Sequence, residues 1–158
     1  NLGVNCTHMG QLEEALDCYS RALEIRKGID YRRGIATNLH NMGDLHFRMG
    51  DYQQAELCFR ESLESARAQR WSVGEAMNRV YLGYFQALGM DSAAGEAELD
   101  GAIDLALTAG SVEAAAQGKI LQASLLRSRG EEEAAELLLE EVRDLGVEFL
   151  VSLPGSPG

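Results

Sequence analysis

Three histidines and three cysteines are the side chains of this chain best suited to metal or nucleophilic chemistry. His40 and Asp44 stand one helical turn apart with His46 close by, a grouping that in other settings holds a divalent metal. His46, however, shares its place with Cys6 forty residues earlier, and a position filled by Cys in one copy and His in the next reads as interior packing. Cys18 and Cys58 also lie forty apart, so they read as small core residues rather than nucleophiles. No CxxC or Cys/His ligand spacing occurs. Gly110 to Lys119 lacks the spacing and the terminal Ser or Thr of a phosphate loop. Asn5-Cys6-Thr7 has the form of a glycosylation sequon but falls inside an expected helix. The chain therefore reads as a non-enzyme with no catalytic residue, no metal site and no cofactor.

The forty-residue recurrence that disposes of these candidates runs through the whole chain. Asn1/Asn41, Gly3/Gly43, Met9/Met49, Gly10/Gly50, Ala15/Ala55, Cys18/Cys58, Leu23/Leu63, Glu24/Glu64, Gly34/Gly74, Ala36/Ala76 and Asn38/Asn78 give 11 identities in 40 positions. Unrelated chains of average composition match at about one position in fifteen, or two to three identities. A third copy carries Gly83, Gly95, Leu99 and Ala102, and a weaker fourth carries Ala123, Ala135, Leu139 and Val142. Within each copy apolar residues step by three and four, as in Leu12, Ala15, Leu16, Tyr19 and Leu23, which is helical spacing. Gly10-Gln11, Gly50-Asp51 and Gly130-Glu131 break the copies midway, so each copy is expected to be a helical hairpin. Helices are expected at 1–10, 12–28, 31–49, 52–70, 72–89, 92–109, 112–129 and 132–145. Small residues on both helices let the backbones approach, and an aromatic or Leu nearby fills the adjoining hole. Neither helix buries its stripe alone, so the expected fold is all-α, an α-α superhelix (solenoid) of about four hairpins with a concave face. The expected organisation is an array over 1–145, in units of about 1–30, 31–70, 71–110 and 111–145, then a tail or linker over 146–158.

Composition narrows the partners. A chain of 158 residues, 46% hydrophobic and 25% charged, is globular in composition. Its net charge of −11 opposes nucleic acid, and no apolar run approaches the roughly 20 residues of a membrane span. Sparse, odd-numbered thiols suit a reducing compartment, so a cytoplasmic location is expected. The charge is uneven: residues 1–40, 41–80, 81–120 and 121–158 carry nets of 0, −1, −5 and −5. Glu131-Glu132-Glu133 opens an expected helix, where carboxylates favour the dipole's positive end, and reads as a solvated face ahead of the alternative, a docking site for a basic partner.

The runs Asn41-Met42-Gly43, Gly50-Asp51-Tyr52-Gln53-Gln54-Ala55, Phe59 and Ser62-Leu63 resemble a tetratricopeptide repeat. Leu2-Gly3, Gly10, Leu12, Ala15, Tyr19 and Ala22-Leu23 repeat the pattern. The third copy keeps Leu82-Gly83, Leu99 and Ala102-Ile103, with its turn glycine one place early at Gly89; the fourth keeps Gly130, Ala135 and Leu139 but has Gln122 at a usually apolar position. The period of 40 is similar to long-period repeats of kinesin light chains and large bacterial signalling regulators. Asn1 aligns with Asn41, well inside its helix, so a segment of a longer protein is expected, its first unit truncated.

The resemblance implies a protein-interaction scaffold whose first helices line the concave groove. Rotated off the Leu39, Met42, Gly43, His46 stripe, the implied groove residues are Thr37, His40, Asn41, Asp44, Phe47 and Arg48 in the second unit. In the third they are Met77, Tyr81, Tyr84 and Leu88, and in the fourth Gln117, Ser124 and Arg127. Tyr81 and Tyr84 serve equally as interhelix packing. An extended or helical peptide of a protein partner suits such aromatic and amide surfaces. With Arg48 and Arg127 as the sole basic candidates, a clamp for a terminal carboxylate is not expected. The alternative is a sensory or regulatory segment of a bacterial signal-transduction protein, acting on an attached effector through ligand binding or self-association. Homo-oligomers through the array ends or the tail, with its apolar Val147–Val151, stay open.

Overall fold

The structure, a computed structural model, describes residues 2–146, the first seven of them by backbone alone. Among the described residues there are seven helices and no strand: α1 (Leu2–Gly28), α2 (Arg32–Arg48), α3 (Tyr52–Ala68), α4 (Ser72–Leu88), α5 (Ser92–Thr108), α6 (Val112–Ser128) and α7 (Glu132–Asp144). The all-α helical-repeat class is as expected, and α2 to α7 fall within two residues of their expected bounds. The expected tail beyond Gly146, with Val147–Val151, lies outside the described residues.

Turn chemistry sets the spacing. Each of α2 to α6 has 17 residues, with three-residue connections between them. Left-handed residues recur at twenty-residue intervals: Asp30 (φ 50°), Gly50 (79°), Arg70 (53°), then Gly110 (78°) and Gly130 (80°). Beyond them, the amides of Asp51, Ser111 and Glu131 reach back to the carbonyls of His46, Ala106 and Leu126 at 2.8–3.0 Å, occupying acceptors that a helix end leaves open. The series skips position 90, where Met90 stands; Gly89 adopts extended backbone (φ −87°, ψ −159°) instead. Three of the helices then start on side-chain caps: Asp51 accepts from the Gln54 amide, Asp91 from Ala94 and Ser111 from Ala114.

One expected hairpin does not form. Helices at 1–10 and 12–28 were expected, yet α1 runs unbroken through Gly10, which is absent from the left-handed glycines. Where Asp51 follows Gly50, Gln11 follows Gly10 and offers no favourable helix cap. Carrying the helix across one glycine costs only about 1 kcal/mol.

The chain divides into two compact units, Asn1–Arg70 and Trp71–Gly158. In the first, α2 packs on both α1 and α3. Asn38, fully buried, donates to the Tyr19 carbonyl at 2.6 Å and accepts from Arg26, which also donates to the Gly34 carbonyl at 2.9 Å. Ser62 donates to the Ala36 carbonyl at 2.7 Å, tying α3 to α2. Cys18 and Cys58 correct the sequence reading: Cys18 is exposed and Cys58 half-buried. Each sits one residue before the repeated aromatic position of Tyr19 and Phe59, and a single step turns a helical side chain about 100° away. Burial, with Glu61 and Asp51 nearby, pushes the Cys58 thiol above its usual range.

In the second unit α4 packs on α5 and α6, and α6 also packs on α5 and α7. Ala76, Val80, Leu99, Ala102, Ala115, Ile120 and Ala135 are fully or almost fully buried. Arg79 bridges α4 and α5 through Glu98 at 2.6 Å, with Glu75 at 3.8 Å. Gln122, the polar intruder in the fourth copy, is half-exposed and donates to Asp100 across the α5/α6 boundary.

Candidate functional site

A helix advances 100° per residue, so Thr37, Asn41, Asp44 and Arg48, spaced four, three and four apart, form one narrow row along α2. Thr37, Asn41 and Asp44 are half-exposed and Arg48 is exposed. The Thr37 hydroxyl donates to the Arg33 carbonyl one turn back at 2.9 Å. His40 and Phe47 are rotated off this row toward α3: the His40 ring lies 5.4 Å from that of Phe59, and Phe47, buried, stacks on Tyr52 at 5.4 Å. Both rings join the helices of the hairpin.

The second unit repeats the row on α4 as Met77, Tyr81, Tyr84 and Leu88, and on α6 as Gln117, Leu121, Ser124 and Ser128. Met77 is half-exposed and Leu88 exposed, but Tyr81 and Tyr84 are only 5% and 7% exposed. The Tyr84 hydroxyl stands 3.5 Å from that of Ser124, where α4 and α6 meet. Of the two roles left open for these tyrosines, interhelix packing is the one their burial fits. Gln117 and Ser124 are half-exposed. Arg127 occupies the register of Phe47 and is likewise turned to the second helix of its hairpin, pairing with Glu132 (3.4 Å) and Glu136 of α7.

The thirteen sequence candidates thus separate by rotation. Thr37, Asn41, Asp44, Arg48, Met77, Leu88, Gln117 and Ser124 offer accessible surface on the first helices; His40, Phe47, Tyr81, Tyr84 and Arg127 are held by packing or ion pairs. What the accessible set presents is amide, hydroxyl, thioether and a few charges.

His46 is half-buried, with its Nδ1 3.7 Å from the Asp51 carboxylate at the α2/α3 turn. Among the described residues no group of three or more His, Cys, Asp or Glu is placed to hold a metal ion, and no helix is long and apolar enough to cross a membrane. Sequence reasoning did not find a cleft on α5, α6 and α7. Its one visible trace was Glu96, Asp100 and Asp104 at four-residue steps on α5.

Residues 1–68 match the family model of the tetratricopeptide repeat. No curated protein gives a significant match to the chain.

Proposed function

We propose, on the premise that residues 1–68 are tetratricopeptide repeats, a class that mediates protein–protein contacts, that this protein is a scaffold holding a peptide or protein segment against the exposed rows of its first helices. The observation that carries the reading is the row Thr37, Asn41, Asp44, Arg48 on α2 and its register equivalents Met77, Leu88, Gln117 and Ser124 on α4 and α6. Phe47 anchors α2 to Tyr52 of α3, and the Tyr84 hydroxyl meets that of Ser124 between α4 and α6, so the helices that carry the rows are already packed on their neighbours, which spares part of the ordering cost of binding. Asn41 and Gln117 offer amides to a partner backbone, while Met77 and Leu88 offer apolar contact. A cytoplasmic location belongs to the same reading, supported by the free thiols of Cys18 and Cys58. The regulatory alternative has no observation of its own in its favour.

The test is a double substitution, Asn41→Ala with Gln117→Ala, measured against a partner isolated with the full chain. Affinity falls about tenfold while the melting temperature stays put. Undiminished affinity contradicts the proposal.

A further inference from the structure

The second unit carries another concavity. A cleft of about 290 Å³ opens on α5, α6 and α7, floored by Leu125, Leu126 and Leu138 and edged by Glu96, Asp100 and Arg129. On α6 its residues are rotated about 120° from the Gln117–Ser124 row, so it is a separate surface from the one proposed above. Its volume falls at the bottom of the roughly 300–1,000 Å³ of small-molecule pockets, a size suited to one or two large side chains.

The edge says what else the occupant carries. Arg129 is spent on its neighbours: it donates to both carboxylate oxygens of Glu96 at 2.6 and 3.2 Å and to the Ser92 hydroxyl at 2.9 Å, with the charge of Glu131 also nearby. Asp100 accepts from the neutral side-chain amide of Gln122. One turn further along α5, Asp104 is exposed. Lys119 and Arg127 are committed to α7, through Glu141 and through Glu132 and Glu136. Residues 92–144 hold twelve carboxylates and four basic side chains, so the field over the cleft is negative and excludes an acidic occupant.

We propose that this cleft docks a basic amphipathic helix of a partner protein, with a Leu or Phe seated on Leu125, Leu126 and Leu138 and flanking Lys or Arg side chains on Asp100 and Glu131. Apolar anchors give such a helix its affinity, and the acidic edge gives it sign and approach rate.

The probe is a fluorescein-labelled helical peptide of Leu and Lys, read by anisotropy on the full chain. A counterpart with Glu for Lys serves as its control. The Lys peptide binds and the Glu peptide does not. Leu138→Asp weakens binding about tenfold and Asp100→Lys about fivefold, whereas Glu140→Lys, an equal charge change elsewhere on α7, leaves it within about twofold. Asp100 is exposed, so its variant stays informative if Leu138→Asp fails to fold. Asn41→Ala with Gln117→Ala leaves this binding unchanged, which separates it from the first-helix rows. Equal weakening by Asp100→Lys and Glu140→Lys, which would mean attraction to net charge alone, overturns the proposal. So does the absence of Lys-peptide binding. A tenfold gain on ending the chain after Gly146 overturns it too, because the occupant would then be the chain's own apolar tail.

Discussion

The hairpin α2/α3 and the hairpin α4/α5 solve one packing problem in two ways. In α2/α3 the Gly43 backbone accepts the Phe59 ring, which lies 2.8 Å from where a Cβ would stand, and Ala55, fully buried, holds the register position one turn earlier on α3. In α4/α5 Phe gives way to Leu99 and Ala to Gly95, and the helices close to backbone contact: a Cβ on Gly95 would meet the Ala87 amide nitrogen at 2.1 Å, and one on Gly83 the Leu99 nitrogen at 2.8 Å. Taken alone, Gly95 looks like decay of the repeat pattern. Paired with Leu99 it is a compensated exchange of ring volume for proximity. Position-by-position matching scores the two substitutions separately, whereas packing sees a single change in interhelix distance.

That contrast fixes the order of expected mutational effects. Gly95→Ala has the largest, about 3 kcal/mol in urea unfolding, because backbone cannot move aside as a side-chain tip can. Gly43→Ala costs less, about 1–2 kcal/mol, since it presses on a ring that has some freedom to tilt. A cost for Gly43→Ala equal to that of Gly95→Ala would break the comparison. Asn38→Ala comes next at about 1–2 kcal/mol, because it removes the buried amide that ties the Tyr19 carbonyl and the Arg26 guanidinium together at the α1/α2 seam; the same unfolding measurement checks it. The turn glycines sharpen the contrast further: Gly10→Ala stabilises by up to about 1 kcal/mol within continuous α1, whereas Gly50→Ala, at φ 79°, destabilises by about 1 kcal/mol.

Charge gives the smallest effect and separates the units in another way. The first holds nine basic and ten acidic side chains, the second five and fifteen. In the second, the Arg129 guanidinium and then the Ser92 hydroxyl hold the Glu96 carboxyl below the usual carboxylate range. A carboxyl depressed in the folded state stabilises above its unfolded pKa, and that contribution is lost as pH falls through the lowered folded value. The melting temperature of Glu96→Gln should therefore be less acid-sensitive than that of the unaltered chain, by a small margin because the pair is exposed. Identical pH profiles would contradict the pairing.

Much of the fold was legible because its determinants are local. Helical spacing, the mid-unit glycines and the forty-residue recurrence place α2 to α7 within two residues of their bounds. What stayed hidden depends on neighbours. Gly10 and Gly50 are the same letter, yet one lies inside a continuous helix and the other in a turn, and the residue that follows, Gln11 against the capping Asp51, is the local difference between them. Arg70 occupies a left-handed position that its residue type does not announce. On the candidate surface, the four-three-four spacing of Thr37, Asn41, Asp44 and Arg48 was readable, but the rotation that turns His40, Phe47 and Arg127 onto second helices follows from which side α3 and α7 occupy. The α5–α7 cleft required three elements at once and left almost no trace in the chain.

The central claim is that the exposed rows of the first helices hold a protein segment. A photoreactive phenylalanine analogue introduced at Asn41, at Gln117, at Arg60 on α3 or at Asp104 on α5 tests it in the full chain with its isolated partner. Crosslinks from Asn41 and Gln117, with none from Arg60 or Asp104, are the predicted result; crosslinks confined to Arg60 and Asp104 would contradict it.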